Sequence, residues 1–219
     1  MLKLIIPKNT DIGVIFLKNI YLIRHGLTNY NIEGKFQGIS DISLNDIGQH
    51  QAKQLSTYFK DIDIDEIFIS NLKRTYETAK YFANDKGIEP NIVEGLREMN
   101  GGYFEGKTDE ELLKVYSEQV HNLRNDLPKF MPPNGESSRE AYNRISSTIL
   151  DIVTNSESTN IAIVSHGLVL ILFLAYVSNT PFEDIKHIYL ENTSVTKLIF
   201  DENKFSIEYI NDFKHLNNK

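Results

Sequence analysis

Cysteine is absent from all 219 residues, so disulfides, thiolate nucleophiles and cysteine-ligated metals are excluded. Positive charge is scarce as well: 23 lysines and arginines stand against 30 aspartates and glutamates, a net charge of −7. Such a surface repels nucleic acid and anionic membrane, so neither is an expected partner. A site for an anion must therefore be a local basic cluster on an acidic protein.

Long hydrophobic runs are also missing. The longest, at 167–177, is too short to cross a membrane and is typical of a buried helix. The apolar stretches near the N-terminus are interrupted by Pro7, Asp11 and Lys18 and lack a signal peptide's pattern. We expect a cytoplasmic protein in which residues 1–17 form an extension before one domain at 18–219.

The chain is long enough for one substantial core. Short runs rich in isoleucine and valine predict four strands, at 19–23, 66–70, 160–165 and 195–200. Apolar residues at helical spacing predict helices at 44–60, 73–85 and 137–153. This alternation predicts a three-layer α/β/α sandwich, with helices on both faces of a mixed, mainly parallel sheet.

Two local features complete this prediction. Helix 44–60 has Asn45 as a plausible N-cap. Its expected apolar face is formed by Ile47, Ala52, Leu55, Tyr58 and Phe59. Residues 107–136 are polar and charged, with helical spacing at 109–125, and they predict a helical cap inserted above the sheet.

Three strand ends carry basic residues. Strand 19–23 is followed by Arg24, His25 and Gly26, strand 66–70 by a helix containing Arg74, and strand 160–165 by His166 and Gly167. Ligands of open α/β sheets bind beyond the carboxyl ends of the strands. We therefore expect these side chains to meet in one crevice.

Two histidines and two arginines in one crevice describe an anion site, and arginine suits phosphate. Neither a Walker A sequence nor G-x-G-x-x-G is present, so this is not a typical nucleotide cradle. Phosphate beside a histidine indicates phosphoryl transfer to that histidine. Neighbouring cations would keep His25 neutral, and a local backbone carbonyl would fix its tautomer. Glu98 and Glu105 are candidates for the acid that protonates the leaving oxygen.

Five stretches, in this order along residues 18–200, resemble the histidine phosphatase superfamily, in its cofactor-dependent phosphoglycerate mutase-like branch. They are RHGLTNYN, FQGISDISLNDIGQHQA, SNLKRTYETA, LREMNGGYFEG and VSHG. The resemblance implies a phosphoglycerate mutase-like fold, His25 as the phosphorylated nucleophile and Glu98 as the proton donor. It implies a phosphate pocket without metal or cofactor, completed by Arg24, Arg74 and His166, with Gly26, Asn31, Gln37, Gly38 and Gly167 contacting phosphate or substrate.

Departures from the mutase pattern favour hydrolysis over mutase activity. The mutases continue from the acid as Glu-Arg-His-Tyr-Gly, whereas this chain continues as Glu98-Met99-Asn100-Gly101-Gly102 and lacks their longer insertion. The chain looks most like the broad-specificity phosphatases and the α-ribazole phosphatases. Gly101 stands where the family usually has an aromatic residue, and this changes the shape of the wall that faces the substrate. Ser43 stands where the family usually has proline, and this affects only a turn.

Several alternatives stay open. The chemistry also suits a phosphoglycerate mutase or a phosphoprotein phosphatase, and the site suits a non-catalytic module that binds a phosphorylated ligand. The expected substrate is a small phosphorylated metabolite, because the cap would crowd a protein. Other polar residues are expected to have no role in the site. His50 and the cap residues His121, Arg124 and Lys129 are expected on solvated helix faces, and His187 and His215 in structural or exposed positions. The alternating Asp and Ile residues at 61–66 are expected to form the edge of a strand rather than a metal site.

Overall fold

The structure, a computed structural model, describes residues 17–181, 184–185 and 188–217. The predicted extension at residues 1–17 therefore lies, except for Leu17, outside the described residues, as does His187. Strands and helices alternate along the described chain. The strands are β1 (Lys18–Arg24), β2 (Glu66–Ile69), β3 (Asn91–Ile92), β4 (Asn160–Ser165), β5 (Val195–Asp201) and β6 (Lys204–Asp212). The helices are α1 (Asn29–Ile32), α2 (Asp46–Tyr58), α3 (Lys73–Lys86), α4 (Asp109–Val115), α5 (Ser117–Asn125), α6 (Ser138–Asn155) and α7 (Gly167–Ser178).

The six strands form one mixed sheet in the order β3-β2-β4-β1-β5-β6. Strands β1 to β4 pair in parallel, while β5 runs antiparallel to both β1 and β6. The prediction of a mainly parallel sheet is confirmed. Strands β3 and β6 were not predicted, because β3 has two residues and β6 shows no run of buried apolar residues.

Helices cover both faces of the sheet, as predicted for a three-layer sandwich. Side chains along a strand point alternately to opposite faces. Ile20 and Leu22 of β1 pack in a large core with α6 and α7, whereas Tyr21 and Ile23 pack in a second core with α2 and α3. Burying both faces of the central strands fixes their register, since a slip by one residue would exchange the two cores.

Helix α2 differs from its prediction at one end. Asn45 caps it, with the side-chain oxygen accepting a hydrogen bond from the Gly48 backbone N–H. Ala52, Leu55 and Phe59 are buried as expected. Ile47, placed on the apolar face by the sequence, is 55% exposed. At 3.6 residues per turn, Ile47 points roughly 80–140° away from Ala52, Leu55 and Phe59, so it lies outside the buried stripe of the helix.

The predicted cap segment, 107–136, contains two helices rather than one. The chain leaves helical geometry at Tyr116, between α4 and α5. Leu112, Val120 and Phe130 are buried in the same large core as α6 and α7. Exposed charged residues of the cap segment form ion pairs within the segment, Arg124 with Asp109 and Lys129 with Asp126.

Candidate active site

Two histidines meet because their strands are adjacent. Strands β1 and β4 are parallel neighbours, with Arg24 opposite Ser165 at their carboxyl ends. The residues that follow, His25 and His166, therefore emerge side by side, and their ring centroids lie 5.2 Å apart. Arg74 reaches the same place from the first turn of α3, which follows β2 on the other side of β4.

His25 is held as a neutral imidazole with a defined tautomer. Its Nδ1 lies 2.8 Å from the Gly26 carbonyl oxygen, which can only accept, so Nδ1 carries the proton and Nε2 the lone pair. Burial, followed by the charges of Arg74 and Arg24, lowers the pKa of His25 well below its ordinary value, against the opposing hydrogen bond to Gly26. The Gly26 carbonyl is the local partner that was predicted for the ring, and the direction of the pKa shift favours the predicted neutral form.

Gly26 supports the site from behind. Its N–H donates to the Thr78 hydroxyl at 2.9 Å, and a Cβ here would lie 3.0 Å from the Gly48 carbonyl oxygen. The residue must be small because the chain passes close to α2. Its carbonyl orients His25, and Gly26 does not line the cavity described below.

His166 is fixed by two neighbours. Its Nδ1 accepts a hydrogen bond from Arg74 Nε at 3.1 Å, so the neutral ring carries its proton on Nε2 and donates it to the Ser70 hydroxyl at 2.8 Å. Burial and the charge of Arg74 lower the pKa of His166 well below its ordinary value. The ring thereby orients the Arg74 guanidinium beside His25.

The two arginines are anchored through backbone carbonyls rather than carboxylates. Arg74 is fully buried and donates to the carbonyls of Ser40 at 2.7 Å and Gly38 at 2.8 Å. Burial lowers its pKa to about 10, so it remains charged at neutral pH. Arg24 donates to the Leu190 carbonyl, and its Nε is buried without a hydrogen-bond partner among the described residues. Both positive charges are therefore available to an anion.

Glu98 lies at the N-terminus of α7. Its two oxygens accept hydrogen bonds from the backbone N–H groups of Met99 at 2.9 Å and of Leu168 and Val169 at 3.3 Å each. A carboxylate is favoured there by the helix dipole. Gly167 begins the helix, and its lack of a side chain lets Arg24 approach, since a Cβ would lie 3.3 Å from Arg24 Nε.

The loop that carries Glu98 is clamped by an ion pair. The Arg144 guanidinium binds both oxygens of Glu136 at 2.8 Å and donates to the carbonyls of Gly95 and Arg97. Burial raises the pKa of Glu136, but the hydrogen bonds and charge of Arg144 outweigh it and the net shift is downward. A planar guanidinium gripping carboxylate and backbone together fixes the loop in one geometry.

The other candidate acid, Glu105, is committed to structure. It accepts hydrogen bonds from the backbone N–H groups of Ile39 at 2.9 Å and Gly101 at 3.1 Å, and from the Ser40 hydroxyl. It thereby holds the loop whose carbonyls anchor Arg74. Gly38 has a φ of +52°, and a Cβ there would lie 2.3 Å from a Glu105 oxygen, so glycine is required.

A cavity of about 170 Å³ unites these groups. It is lined by Arg24, His25, Asn31, Lys35, Phe36, Gln37, Gly38, Arg74, Glu98, Gly167 and Leu168. All of the predicted site residues except Gly26 and His166 line this cavity. Three larger cavities, of about 390, 410 and 360 Å³, lie near Tyr209, His215 and Tyr76, and none of the predicted site residues lines them.

Asn31 and Gln37 bring side-chain amides to the lining of the cavity. Their side-chain oxygens lie 3.1 and 3.0 Å from the Thr28 hydroxyl, and Asn192 also donates to the Asn31 oxygen at 3.4 Å. The Thr28 hydroxyl has a single proton and can donate to only one of the two oxygens. The Asn31 oxygen also accepts from the Thr28 backbone N–H at 3.1 Å, so the N–H₂ group of Asn31 is the donor left for an anion.

Three lining residues were not predicted: Lys35, Phe36 and Leu168. Phe36 adjoins Gln37 and Leu168 adjoins Gly167, and that adjacency was the available signal, whereas Lys35 has no predicted residue beside it in the chain. The position of the Phe36 ring depends on the glycine at position 101. A Cβ at Gly101 would lie 2.6 Å from that ring. Phe36 therefore occupies the space that a side chain at position 101 would need.

Other sequence predictions have simple outcomes. His50, His121, Arg124 and Lys129 are exposed and lie outside the cavity lining, in agreement with solvated faces. Within residues 17–181, 184–185 and 188–217, no group of three or more histidine, aspartate or glutamate side chains could hold a metal ion. In the same ranges, no helix is long and apolar enough to cross a membrane.

His215 is buried next to the backbone of the site. Its Nε2 lies 3.3 Å from the Thr193 hydroxyl, and the Thr193 N–H donates to the Arg24 carbonyl at 2.9 Å. Burial lowers the pKa of His215 to about 4, against the opposing charge of Asp212. Like His25 and His166, it is neutral in the folded protein.

Acidification from pH 7 to pH 5 is expected to destabilise the protein. These three histidines gain protons near pH 6.5 when unfolded but resist protonation when folded. The unfolded state then binds more protons, so the free energy of unfolding falls by up to about 1.4 kcal/mol per pH unit for each histidine. Urea denaturation at several pH values measures this slope, and His215→Gln should reduce it. Equal or greater stability at pH 5 would contradict the prediction.

Comparison with known proteins identifies the class. The sequence profile of the histidine phosphatase superfamily (branch 1) matches residues 20–213. A Hydrogenobacter thermophilus protein provisionally named phosphoserine phosphatase 2 is 31% identical over 199 residues, which cover 91% of this chain and 98% of that one. An Escherichia coli protein provisionally named phosphoglycerate mutase GpmB is 29% identical over 202 residues, 90% of this chain and 94% of that one.

A solved structure agrees in fold. The Entamoeba histolytica phosphoserine phosphatase in complex with 3-phosphoglyceric acid is 30% identical, with a TM-score of 0.80 over 91% of this chain and 99% of that one. The chain therefore belongs to the histidine phosphatase superfamily, branch 1, and is a phosphatase. The predicted family and fold are confirmed.

Proposed function

We propose that the protein hydrolyses small phosphomonoesters through a phosphohistidine formed on His25, without a metal ion. The observation that carries the proposal is the state of His25, which lines the cavity as a neutral ring with Nδ1 bound to a carbonyl. Its Nε2 lone pair is the nucleophile. Arg24 and Arg74 supply the positive charge that stabilises the transferring phosphoryl group.

The reaction proceeds in two steps. In the first, Nε2 attacks phosphorus in line and the P–O bond to the alcohol breaks. Glu98, a carboxylate in the free site, takes up a proton when the phosphate dianion binds beside it, because two neighbouring negative charges repel, and it gives that proton to the leaving oxygen. In the second, water attacks phosphorus, Glu98 as a carboxylate takes the water's proton, and the P–N bond breaks. Inorganic phosphate, neutral His25 and protonated Glu98 result. The Gly26 carbonyl stabilises the imidazolium character of the intermediate through Nδ1–H.

Cavity size supports a small substrate. Sites for drug-sized ligands occupy roughly 300–1,000 Å³, whereas this cavity occupies about 170 Å³. A phosphoryl group with a short carbon chain suits that volume better than a nucleotide or a protein segment. A small phosphorylated metabolite is therefore the proposed substrate, and the cytoplasmic location and the inserted cap stay predictions.

An activity screen tests the proposal against its alternatives. We expect release of inorganic phosphate from small phosphomonoesters such as phosphoserine, 3-phosphoglycerate or sugar phosphates. For 3-phosphoglycerate, release should not require 2,3-bisphosphoglycerate. Formation of 2-phosphoglycerate that depends on the bisphosphate would indicate a mutase instead. Binding of phosphate without hydrolysis of any compound would indicate a non-catalytic module.

A further inference from the structure

The ion pair between Glu136 and Arg144 grips the backbone on both sides of Glu98. On the preceding side, Arg144 donates to the Arg97 carbonyl at 2.9 Å. On the following side, Glu136 accepts from the Asn100 backbone N–H at 3.2 Å and donates its own N–H to the Asn100 carbonyl at 2.9 Å. One bidentate pair therefore holds the Glu98 backbone from both ends.

Arg97 adds a second cation to the same pair. Its guanidinium donates to a Glu136 oxygen at 3.0 Å and to the Glu98 carbonyl at 3.1 Å. The side chains of Glu136, Arg144 and Arg97 are only 10%, 17% and 23% exposed. Partly buried ion pairs are screened by salt much less than exposed ones, so this restraint persists at physiological ionic strength.

The restraint acts on the acid and not on the groups that bind phosphate. None of the three charged residues is among the described residues that line the cavity, so they do not contact a ligand there. His25 and the two arginines of the cavity are held by other backbone carbonyls. Loss of the Glu136–Arg144 pair should therefore leave phosphate binding in place.

The Glu98 carboxylate depends on this restraint because its bonds to α7 are long. It accepts from the N–H groups of Leu168 and Val169 at 3.3 Å each, beyond the usual range of about 2.7–3.2 Å. Its bond of 2.9 Å comes from the adjacent residue, Met99, and moves with the loop. A proton donor must come within about 2.6–3.2 Å of the leaving oxygen. A misplacement of about 1 Å can lower the rate by about 10²-fold.

We propose that Glu136 and Arg144 are positioning residues for proton transfer by Glu98. Their ion pair holds the loop in the place from which the carboxyl group reaches the leaving oxygen. The inference rests on the proposed function and deepens it, because it assigns a task in the reaction to two residues outside the cavity. Glu136 is the last residue of the predicted cap segment, 107–136, and Arg144 lies on α6. The pair therefore joins the end of that segment and α6 to the loop of the acid.

The Glu136→Gln variant tests this role through the leaving group. Glutamine replaces one accepting oxygen by an N–H₂ group, so the bidentate pair with Arg144 is lost. We compare kcat/KM for the best alkyl phosphate of the activity screen with kcat/KM for p-nitrophenyl phosphate. This ratio should fall about 10- to 100-fold, because only the alkyl ester needs a proton on its leaving oxygen. The Kd for inorganic phosphate should stay at the wild-type value.

A double-mutant cycle with Glu98→Gln separates positioning from general support of the fold. If Glu136 acts through Glu98, its substitution should leave the ratio unchanged once the acid is gone. A further fall of the ratio in the double variant would overturn the inference, and so would equal losses on the two substrates in Glu136→Gln. A normal ratio in Glu98→Gln, or hydrolysis that does not depend on His25, would instead overturn the proposed function, and this inference with it.

Glu208→Gln is the matched control. It removes a carboxylate that pairs with Lys197 at 3.0 Å, between β6 and β5 and outside the cavity lining, and the variant should keep the wild-type ratio. A fall as large as in Glu136→Gln would overturn the inference.

Arg97→Gln decides the question if Glu136→Gln does not fold, because it leaves the bidentate pair intact. It removes one of the contacts to the Glu98 backbone, so the ratio should fall in the same direction by a smaller factor. In that case an unchanged ratio in Arg97→Gln would overturn the inference.

Discussion

Replacement of His25 by alanine is expected to lower kcat for every phosphomonoester substrate by at least about 10⁴-fold, as for other enzymes that lose their nucleophile. The ring is the only group described in the cavity that combines a free lone pair with a place between two arginines. Phosphate binding should persist in the variant, because Arg24, Arg74 and the amides of Asn31 and Gln37 remain. Steady-state kinetics and phosphate titration measure the two effects separately.

His50→Ala is the matched control for the nucleophile. It also removes an imidazole, but from the exposed face of α2, and activity should stay at the wild-type level. Thermal unfolding of His25→Ala should show that the fold survives, since the substitution removes a buried polar ring rather than an apolar core residue. Activity of His25→Ala within tenfold of wild type would mean that another group attacks phosphorus.

Substitution of Glu98 by glutamine is expected to divide substrates by their leaving groups. An alkyl phosphate needs a proton on its departing oxygen, so kcat/KM should fall by about 10²- to 10⁴-fold. An aryl phosphate such as p-nitrophenyl phosphate releases a stable anion, and its kcat/KM, which reports the first step, should fall far less. Water attack in the second step still lacks its base. The variant should therefore release a burst of about one nitrophenolate per active site and then turn over slowly.

Glu94→Gln provides the control, since Glu94 is an exposed carboxylate four residues away on the same segment. It should show normal kinetics on both substrates. Equal losses on alkyl and aryl phosphates, with no burst, would show that Glu98 only maintains structure. A structural role for Glu98 would act through the hydrogen bonds that it accepts from Leu168 and Val169, because an amide at position 98 would disturb them.

Much of the fold and of the site could be predicted because the local sequence patterns of the strands match the strands of the sheet. Buried isoleucine-rich runs marked four strands, and the rule that ligands bind at strand ends brought Arg24, His25, Arg74 and His166 together. Their assembly depends on strand order, in which β1 and β4 are neighbours. The family resemblance, not spacing, singled out Glu98.

The remaining features depend on contacts between distant segments. The sequence does not reveal that Phe36 occupies the space beside Gly101, or that Arg144 on α6 clamps the Glu98 loop through Glu136. Ile47 was wrongly assigned to the apolar face, because its spacing from Ala52, Leu55 and Phe59 does not follow the helical period. Lys35 was not predicted, and its backbone is held near the cavity by a bridge to Thr108, more than seventy residues away in the chain.

Direct detection of the phosphoenzyme tests the central claim. The Glu98→Gln variant, mixed with ³²P-labelled p-nitrophenyl phosphate and quenched in alkali, should carry close to one label per chain. That label should be lost in acid and should map by mass spectrometry to the peptide containing His25. Absence of an acid-labile label, or a label on His166 or Ser70, would contradict the account.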